Sequence, residues 1–487
     1  MNDAIVALND DFWTYLVIPL LAVVSIYFTV RSRGVQFRLV REMVRNLGGK
    51  PERARDGKPA VSSFQAFAIS AAARVGTGNI AGVAIAISLG GPGAVMWMWI
   101  MGLVVGSASF VESTLAQLFK VRDRDGYRGG PAYYMWHGLG QRWMGVLFAV
   151  VIIFTFGFVF NMVQSNSIAA AISNSVNTVS GGAETAGWLA PAVGIAIALL
   201  AGMVIFGGVR RIAAVAQLAV PFMALIYLVM GAIVVGMNIE QVPAVFSDIV
   251  ASAFGLREVG AAGLGTAVMM GIRRGLFSNE AGMGSAPNAG ATASVSHPVK
   301  QGLAQTFGVY FDTLVVCSIT AFIILFANPA YGSDLGGAEL TQQALAASLG
   351  AWSVHLLTLI IFLLAFTSVM GNYYYGESNL SFLTSSPAVM LGYRIVVVGV
   401  LFLGAISSLE LVWNLADVTM GVMAVINLIA IAPLGAVAMR LLRDYEAQRR
   451  QGLDPVFTRD RLPDVQNVAC WEPEPDGDRA REAVSET

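Results

Sequence analysis

Charged side chains are what this chain has least of. Asp, Glu, Lys and Arg make up 13% of its 487 residues, about half the share of an ordinary soluble domain. The 30 basic and 31 acidic residues leave a formal charge of −1, which says nothing about partners because the charges sit in loops and the tail, and no nucleic acid is expected as a partner. Cysteine is nearly absent: Cys317 lies in an apolar run and Cys470 near the C-terminus, giving neither a disulfide framework nor a metal-binding spacing. Histidine is almost as rare. His137, His297 and His355 are scattered, with no Ser, His and Asp set or metal-ligand cluster around them, so an enzyme is not expected. No basic n-region precedes the first apolar run, which follows Asp10 and Asp11, so no cleavable signal is expected.

Hydrocarbon stands where the charge is missing. Hydrophobic residues reach 56%, and runs of about 20 of them, enough to cross a lipid core, recur along the whole chain. The expected fold is an all-α membrane protein with eleven transmembrane helices, at about 14–30, 61–89, 92–119, 143–173, 187–207, 211–237, 259–283, 301–327, 352–380, 387–406 and 410–442. Lys and Arg set the orientation. The loop 31–60 holds nine of them, Lys120, Arg122, Arg124 and Arg128 follow in the next inward loop, and Arg210, Arg211, Arg273, Arg274 and Lys300 in later ones. The opposite loops 174–186 and 328–351 hold none. A multi-pass protein of the cell membrane follows, with its N-terminus outside and its C-terminus in the cytoplasm, which an odd number of spans satisfies.

Two segments lie outside the spans. In 34–49, Val35, Leu39, Val40, Met43 and Leu47 share one helical face and Arg38, Arg41 and Arg45 another, the pattern of an interfacial helix braced on lipid. From residue 444 the composition turns charged and aperiodic, as in a mostly disordered tail.

One apolar stretch is interrupted where it should be most regular. "RVGTGNIAGVA", residues 74–84, places Arg74, Gly76, Gly78 and Gly82 inside the second span. A phosphate loop is the wrong reading, since the spacing is GxGxxxG and no Walker lysine is nearby. A break at Gly76 to Gly78 exposes N–H groups at the start of one half-helix, suited to a carboxylate, and carbonyls at the end of the other, suited to Na⁺ or an ammonium group. Small residues alone would also permit close helix packing, which suits Ala81, Gly82 and Ala84. Five spans later "FGLREVGAAGLGTA" brings Gly255, Gly260, Gly263 and Gly265 into the entry of the seventh span. Two glycine-interrupted spans at matching positions point to a secondary transporter built from inverted repeats of five spans each. The expected division is 1–60 for an extra helix and the interfacial helix, 61–238 and 239–443 for the repeats, and 444–487 for the tail. A channel is the competing class, but paired broken helices favour a closable site over a continuous pore.

The motifs "ARVGTGNIAGVA", "GGPGAVMWMW", "GGPAYYM", "RRGLFSNEAGMGSAP", "FDTLVVCSITA" and "FTSVMGNYYYGE", in this order between about 60 and 440, resemble the alanine or glycine:cation symporter family. That family is a sodium-coupled branch of the leucine-transporter-fold superfamily. The resemblance implies a 5+5 inverted repeat with two broken helices plus one peripheral N-terminal helix, symporting a small neutral amino acid with Na⁺.

The same resemblance implies site residues. The substrate carboxylate would lie near the backbone of Thr77 and Gly78 with Asn79 beside it, and Gln164 in "FVFNMVQSNS" would reach the substrate. Gln164 would otherwise be an interhelical hydrogen bond. Na⁺ would be held by the hydroxyls of Thr367 and Ser368 and the carbonyls of Ala72 and Val75, hard oxygens for a hard cation. Each hydroxyl would otherwise bond its own helix. Proton-coupled or ion-independent relatives place a lysine at that cation site, and lysines 50, 58, 120 and 300 all lie outside the spans. Arg74, Glu112, Glu280, Asp312 and Glu377 are the intramembrane charges. Glu112 and Glu280 are expected to neutralise Arg74 as an inner gate or to pair structurally, and Asp312 to support a second cation. Members specialised for the smallest amino acids carry Trp after the glycine of "MGNYYYGE", where this chain has Asn372. That exchange would widen the pocket and make it polar, and a larger side chain such as glutamine becomes the alternative substrate.

Overall fold

The computed structural model describes residues 2–48, 60–123, 126–180, 187–207, 209–256, 263–332 and 336–472. Apolar runs in lipid leave the backbone no partner but itself, and the described residues are accordingly almost all helical. The helices that build the bundle are α1 (Val6–Arg31), α2 (Ser63–Arg74), α3 (Gly78–Gly90), α4 (Gly93–Leu118), α5 (Arg142–Val179), α6 (Leu189–Ile205), α7 (Val209–Met237), α8 (Leu264–Asn279), α9 (Ala286–Gly290), α10 (Pro298–Phe326), α11 (Ala338–Leu349), α12 (Trp352–Leu383), α13 (Pro387–Ile406) and α14 (Leu409–Arg450), with further short helices at Val35–Arg38, Val40–Leu47, Pro131–His137 and Val242–Ala253. A two-stranded hairpin, β1 (Val121–Asp123) and β2 (Gly126–Arg128), follows α4.

Among the described residues eight helices are long and apolar enough to cross a membrane, or nine with the pair α2 and α3, whose axes bend by 49°. The other two expected spans coincide with α6 and α8, which are shorter. Arg273 and Arg274, assigned by sequence to an inward loop, lie inside α8 and are 3% and 2% exposed. Their partners are Asp10 and Asp417, so they are intramembrane ion-pair residues and carry no weight in the positive-inside count.

The stretch expected as one interfacial helix is two, Val35–Arg38 and Val40–Leu47, parted at Leu39. Val35 and Met43 are buried in the protein while Val40 and Val44 face outward. The tail also differs. α14 continues to Arg450, and residues 451–472 are ordered against the end of the bundle. Phe457 N donates to Ser296 O at 2.8 Å, Trp471 Nε1 to Gln117 O at 3.1 Å, and Lys300 pairs with Asp454 at 2.8 Å. A hydrogen bond from Arg440 holds the Asp464 carboxyl down at about 2. Aperiodic charge concealed Phe457, Leu462 and Trp471, which the fold buries. Residues 473–487 lie outside the described residues.

Glycine is used where helices touch backbone to backbone. An added Cβ on Gly93 would stand 2.7 Å from Ala253 N and on Gly371 2.9 Å from Ala73 N, and neither backbone can retreat. Gly93→Ala is therefore expected to cost about 1–3 kcal/mol, read as a lowered thermal midpoint of the purified protein. Gly236→Ala, with nothing within 4 Å of the new methyl, should leave the midpoint unchanged or raise it.

Candidate functional site

The first break is short and fully enclosed. α2 ends where Val75 N donates to Ala71 O at 2.8 Å, and α3 begins at Gly78. In between, Gly76 N meets Asn79 Oδ1 at 2.9 Å and Thr77 N meets Gln164 Oε1 at 3.3 Å. From α12, Ser368 Oγ donates to Ala72 O at 2.8 Å, sharing itself with Leu364 O of its own helix. Gly76 has to be glycine, because a Cβ there would overlap Ser368 Oγ and stand 3.2 Å from Gln164 Oε1. Three elements distant in sequence, carrying Ala72, Thr77, Gln164 and Ser368, thus converge on the unwound peptides.

The remaining expected residues divide. Thr367 Oγ1 donates to Leu364 O at 2.9 Å, so its hydroxyl serves its own helix. Asn372 is one turn beyond Ser368 on α12 and completely buried, and among the described residues neither amide atom has a partner. The Thr77 hydroxyl is also without one. A buried polar group without a partner is costly, so such atoms mark places for a bound molecule or water. Gly78 lies under Phe277, whose Cδ1 would be 2.9 Å from an added Cβ.

Asn79 turns the other way. Besides capping Gly76, its amide donates to Asp312 Oδ1 at 2.5 Å and Ser278 Oγ at 2.9 Å, with Cys317 Sγ at 3.3 Å. Its donors are fully committed, so it braces the break from behind. Ser278 Oγ donates to Asp312 Oδ2 at 2.6 Å. The wider π-helical turns at Gly78–Gly82 and Phe311–Val316 hold this cluster, as such turns often do at functional sites.

Of the glycines expected at the entry of the seventh span, Gly260 lies outside the described residues, as do all of 257–262, and Gly263 and Gly265 sit at the start of α8. The chain also unwinds at Glu280 to Ser285, with φ of +56° at Glu280, +82° at Gly282 and +80° at Gly284, which makes a second break. Glu112 of α4 accepts Gly282 N and Gly284 N, both at 3.1 Å, and Asn427 Nδ2 at 2.8 Å. It is thus the acceptor for the second break, with the charge of Arg74 near enough to act on it as well. Arg74 donates Nη1 to Gln305 O at 3.0 Å, and Nε and Nη2 have no partner. Glu280 accepts Ser285 Oγ at 2.7 Å, and the Tyr375 hydroxyl lies close to its carboxyl. Among the described residues no ion pair joins Arg74 to Glu112 or Glu280. The signal missed in the sequence was "NEAGMGS", an acid and two spaced glycines ending an apolar span.

The sequence model of a family described as "Sodium:alanine symporter family" matches residues 1–459. The chain belongs to that family. Among its curated relatives, the probable sodium/glutamine symporter GlnT of Bacillus subtilis is 49% identical over 95% of this chain and 94% of its own. The amino-acid carrier protein AlsT of the same organism is 49% identical over 96% and 97%. The sodium/alanine symporter AgcS of Methanococcus maripaludis is 35% identical over 91% and 96%. Among solved structures, MhsT in complex with L-phenylalanine superposes with a TM-score of 0.53, covering 83% of this chain and 93% of that one at 11% identity. That likeness is one of fold, the leucine-transporter fold.

Glu112→Ala would strip two buried N–H groups of their acceptor. Each costs about 1–3 kcal/mol, so a drop in the thermal midpoint and loss of most Na⁺-driven uptake are expected, the first measured by thermal denaturation and the second by uptake into liposomes.

Proposed function

We propose that this symporter imports a small neutral amino acid, alanine or glycine, with Na⁺ across the cell membrane by alternating access. The observation that carries the reading is the meeting at one buried helix break of Ser368 Oγ with Ala72 O, 2.8 Å apart, and of Gln164 with the Thr77 amide. Hydroxyl and carbonyl oxygens of Thr367, Ser368, Ala72 and Val75 supply the Na⁺ ligands, the Thr367 oxygen keeping its lone pairs while its O–H donates to Leu364 O. The N–H groups of Thr77 and Gly78, at the positive end of α3, receive the carboxylate, and Gln164 turns to the substrate as it binds. Na⁺ orders the break first, and the amino acid follows. The architecture is eleven spans, with 61–238 and 239–443 as inverted repeats, the N-terminus outside and 444–487 in the cytoplasm. Asp312 stands behind the break as support for a second cation. At the inner end Arg74, with two guanidinium nitrogens unpartnered among the described residues, and Glu280 are the charges available to meet and part as that side closes and opens, while Glu112 holds the second hinge.

A second reading, glutamine as substrate, is favoured by Asn372. Its buried amide has an unused donor and acceptor, the complement of a side-chain carboxamide, and GlnT, named as a probable glutamine symporter, is 49% identical.

Uptake of radiolabelled alanine into proteoliposomes, with and without an inward Na⁺ gradient, tests the first reading, and unlabelled glycine and glutamine as competitors separate the two. Uptake indifferent to Na⁺ would sink it. Ser368→Ala should raise the Na⁺ concentration for half-maximal uptake about tenfold, the weight of roughly one ligand. Asn372→Trp should abolish competition by glutamine and spare that by glycine. Glutamine that never competes in the parent protein removes the second reading.

A further inference from the structure

The first helix stands outside both proposed repeats, yet its Asp10, with a side chain 38% exposed, supplies one charge to a cluster whose other members are buried. Arg274 of α8 pairs with Asp417 of α14 and lies 4.7 Å from the ring centre of Trp413. Arg273 reaches the same Asp417 at 3.4 Å, and Asp10 of α1 at 2.8 Å. Its guanidinium is 5.2 Å from the ring centre of Trp13, which donates Nε1–H to Asp417 O at 3.1 Å. Asp417 alone cannot balance two enclosed guanidiniums, and an uncompensated buried charge is strongly unfavourable. Asp10 provides the missing negative charge, so the set is neutral only while α1, α8 and α14 are together.

The cluster caps a column of rings. Trp413 packs on Phe277 at 4.6 Å between centroids, Phe277 stacks on Phe160 at 4.5 Å, and Phe277 rests on Gly78 of the first break. α1 is docked firmly enough to transmit force: Gly421 and Gly435 of α14 leave no room for a Cβ beside Phe12 and Phe28.

We infer that Asp10 is a positioning residue of the transport cycle: its pair with Arg273 completes a charge clamp that holds α8 against α14 and keeps Phe277 closed over the helix break. Opening at this end parts that pair. The inference rests on the symporter reading above, and its test separates the two.

Ala81 is 1% exposed, just past the break, and a Cβ on Gly337 would be 3.8 Å from it, so Ala81→Cys reports opening at this end. The full chain in liposomes is treated with a membrane-impermeant thiosulfonate reagent, the same chain without that cysteine giving the background from Cys317 and Cys470. Asp10→Asn is expected to speed labelling, and to lower the maximal rate of Na⁺-driven alanine uptake, by about fivefold each, with KM changed less than about twofold. Asp10→Glu should restore both, and Asp10→Asn with Arg273→Gln should transport no worse than Arg273→Gln alone. Unchanged labelling overturns the clamp, whether uptake falls or not, because a folding brace would lower uptake without opening the roof. Labelling needs no substrate, so a parent chain that takes up no amino acid overturns the symporter reading alone.

Discussion

A helix interrupted inside lipid leaves peptide groups that no solvent will satisfy, and the arrangement of the rest of this bundle answers that constraint. At the first break the answers are Asn79 for Gly76 and Gln164 for Thr77. At the second it is a carboxylate, Glu112, serving two peptides at once. The difference is chemical. Neutral amides bind loosely enough to be exchanged for a ligand, whereas a buried charge bonded to two backbone donors and to Asn427 is a permanent fixture. The two breaks are therefore unequal, one built to be rearranged and one built to hold.

Helix positions were readable because hydropathy in lipid is a strong signal. The bend at Gly76 was readable because Gly76 and Gly78 beside an arginine are out of place in an apolar run. The break at Glu280 to Ser285 was not read from the sequence, since the glycines at 255–265 gave a denser local pattern than the spaced pair Gly282 and Gly284. Only the backbone shows that the latter two carry positive φ. Arg273 and Arg274 misled the charge count for a related reason. Their counter-ions, Asp10 and Asp417, are distant in sequence on either side, and a one-dimensional scan has no means of pairing them.

Side-chain roles were less legible than side-chain identities. Asn79, Gln164 and Ser368 all gather around the break, yet Asn79 faces Asp312 and the other two face the unwound peptides. Rotation about a helix axis decides this, and the π-helical turns at Gly78–Gly82 and Phe311–Val316 alter it by a residue's worth of angle that no hydropathy pattern records.

α14 has 42 residues, about 63 Å at 1.5 Å per residue, roughly twice the thickness of the hydrocarbon it crosses. Near one end it holds Asp417, and beyond the other lies the ordered segment 451–472. A rod of that length is a lever. A tilt of 5° about its centre carries each end through about 3 Å, as far as a hydrogen bond is long. What takes place among rings and guanidiniums at the first end is thus written, in opposite sense, into the contacts that Phe457 and Trp471 make at the second.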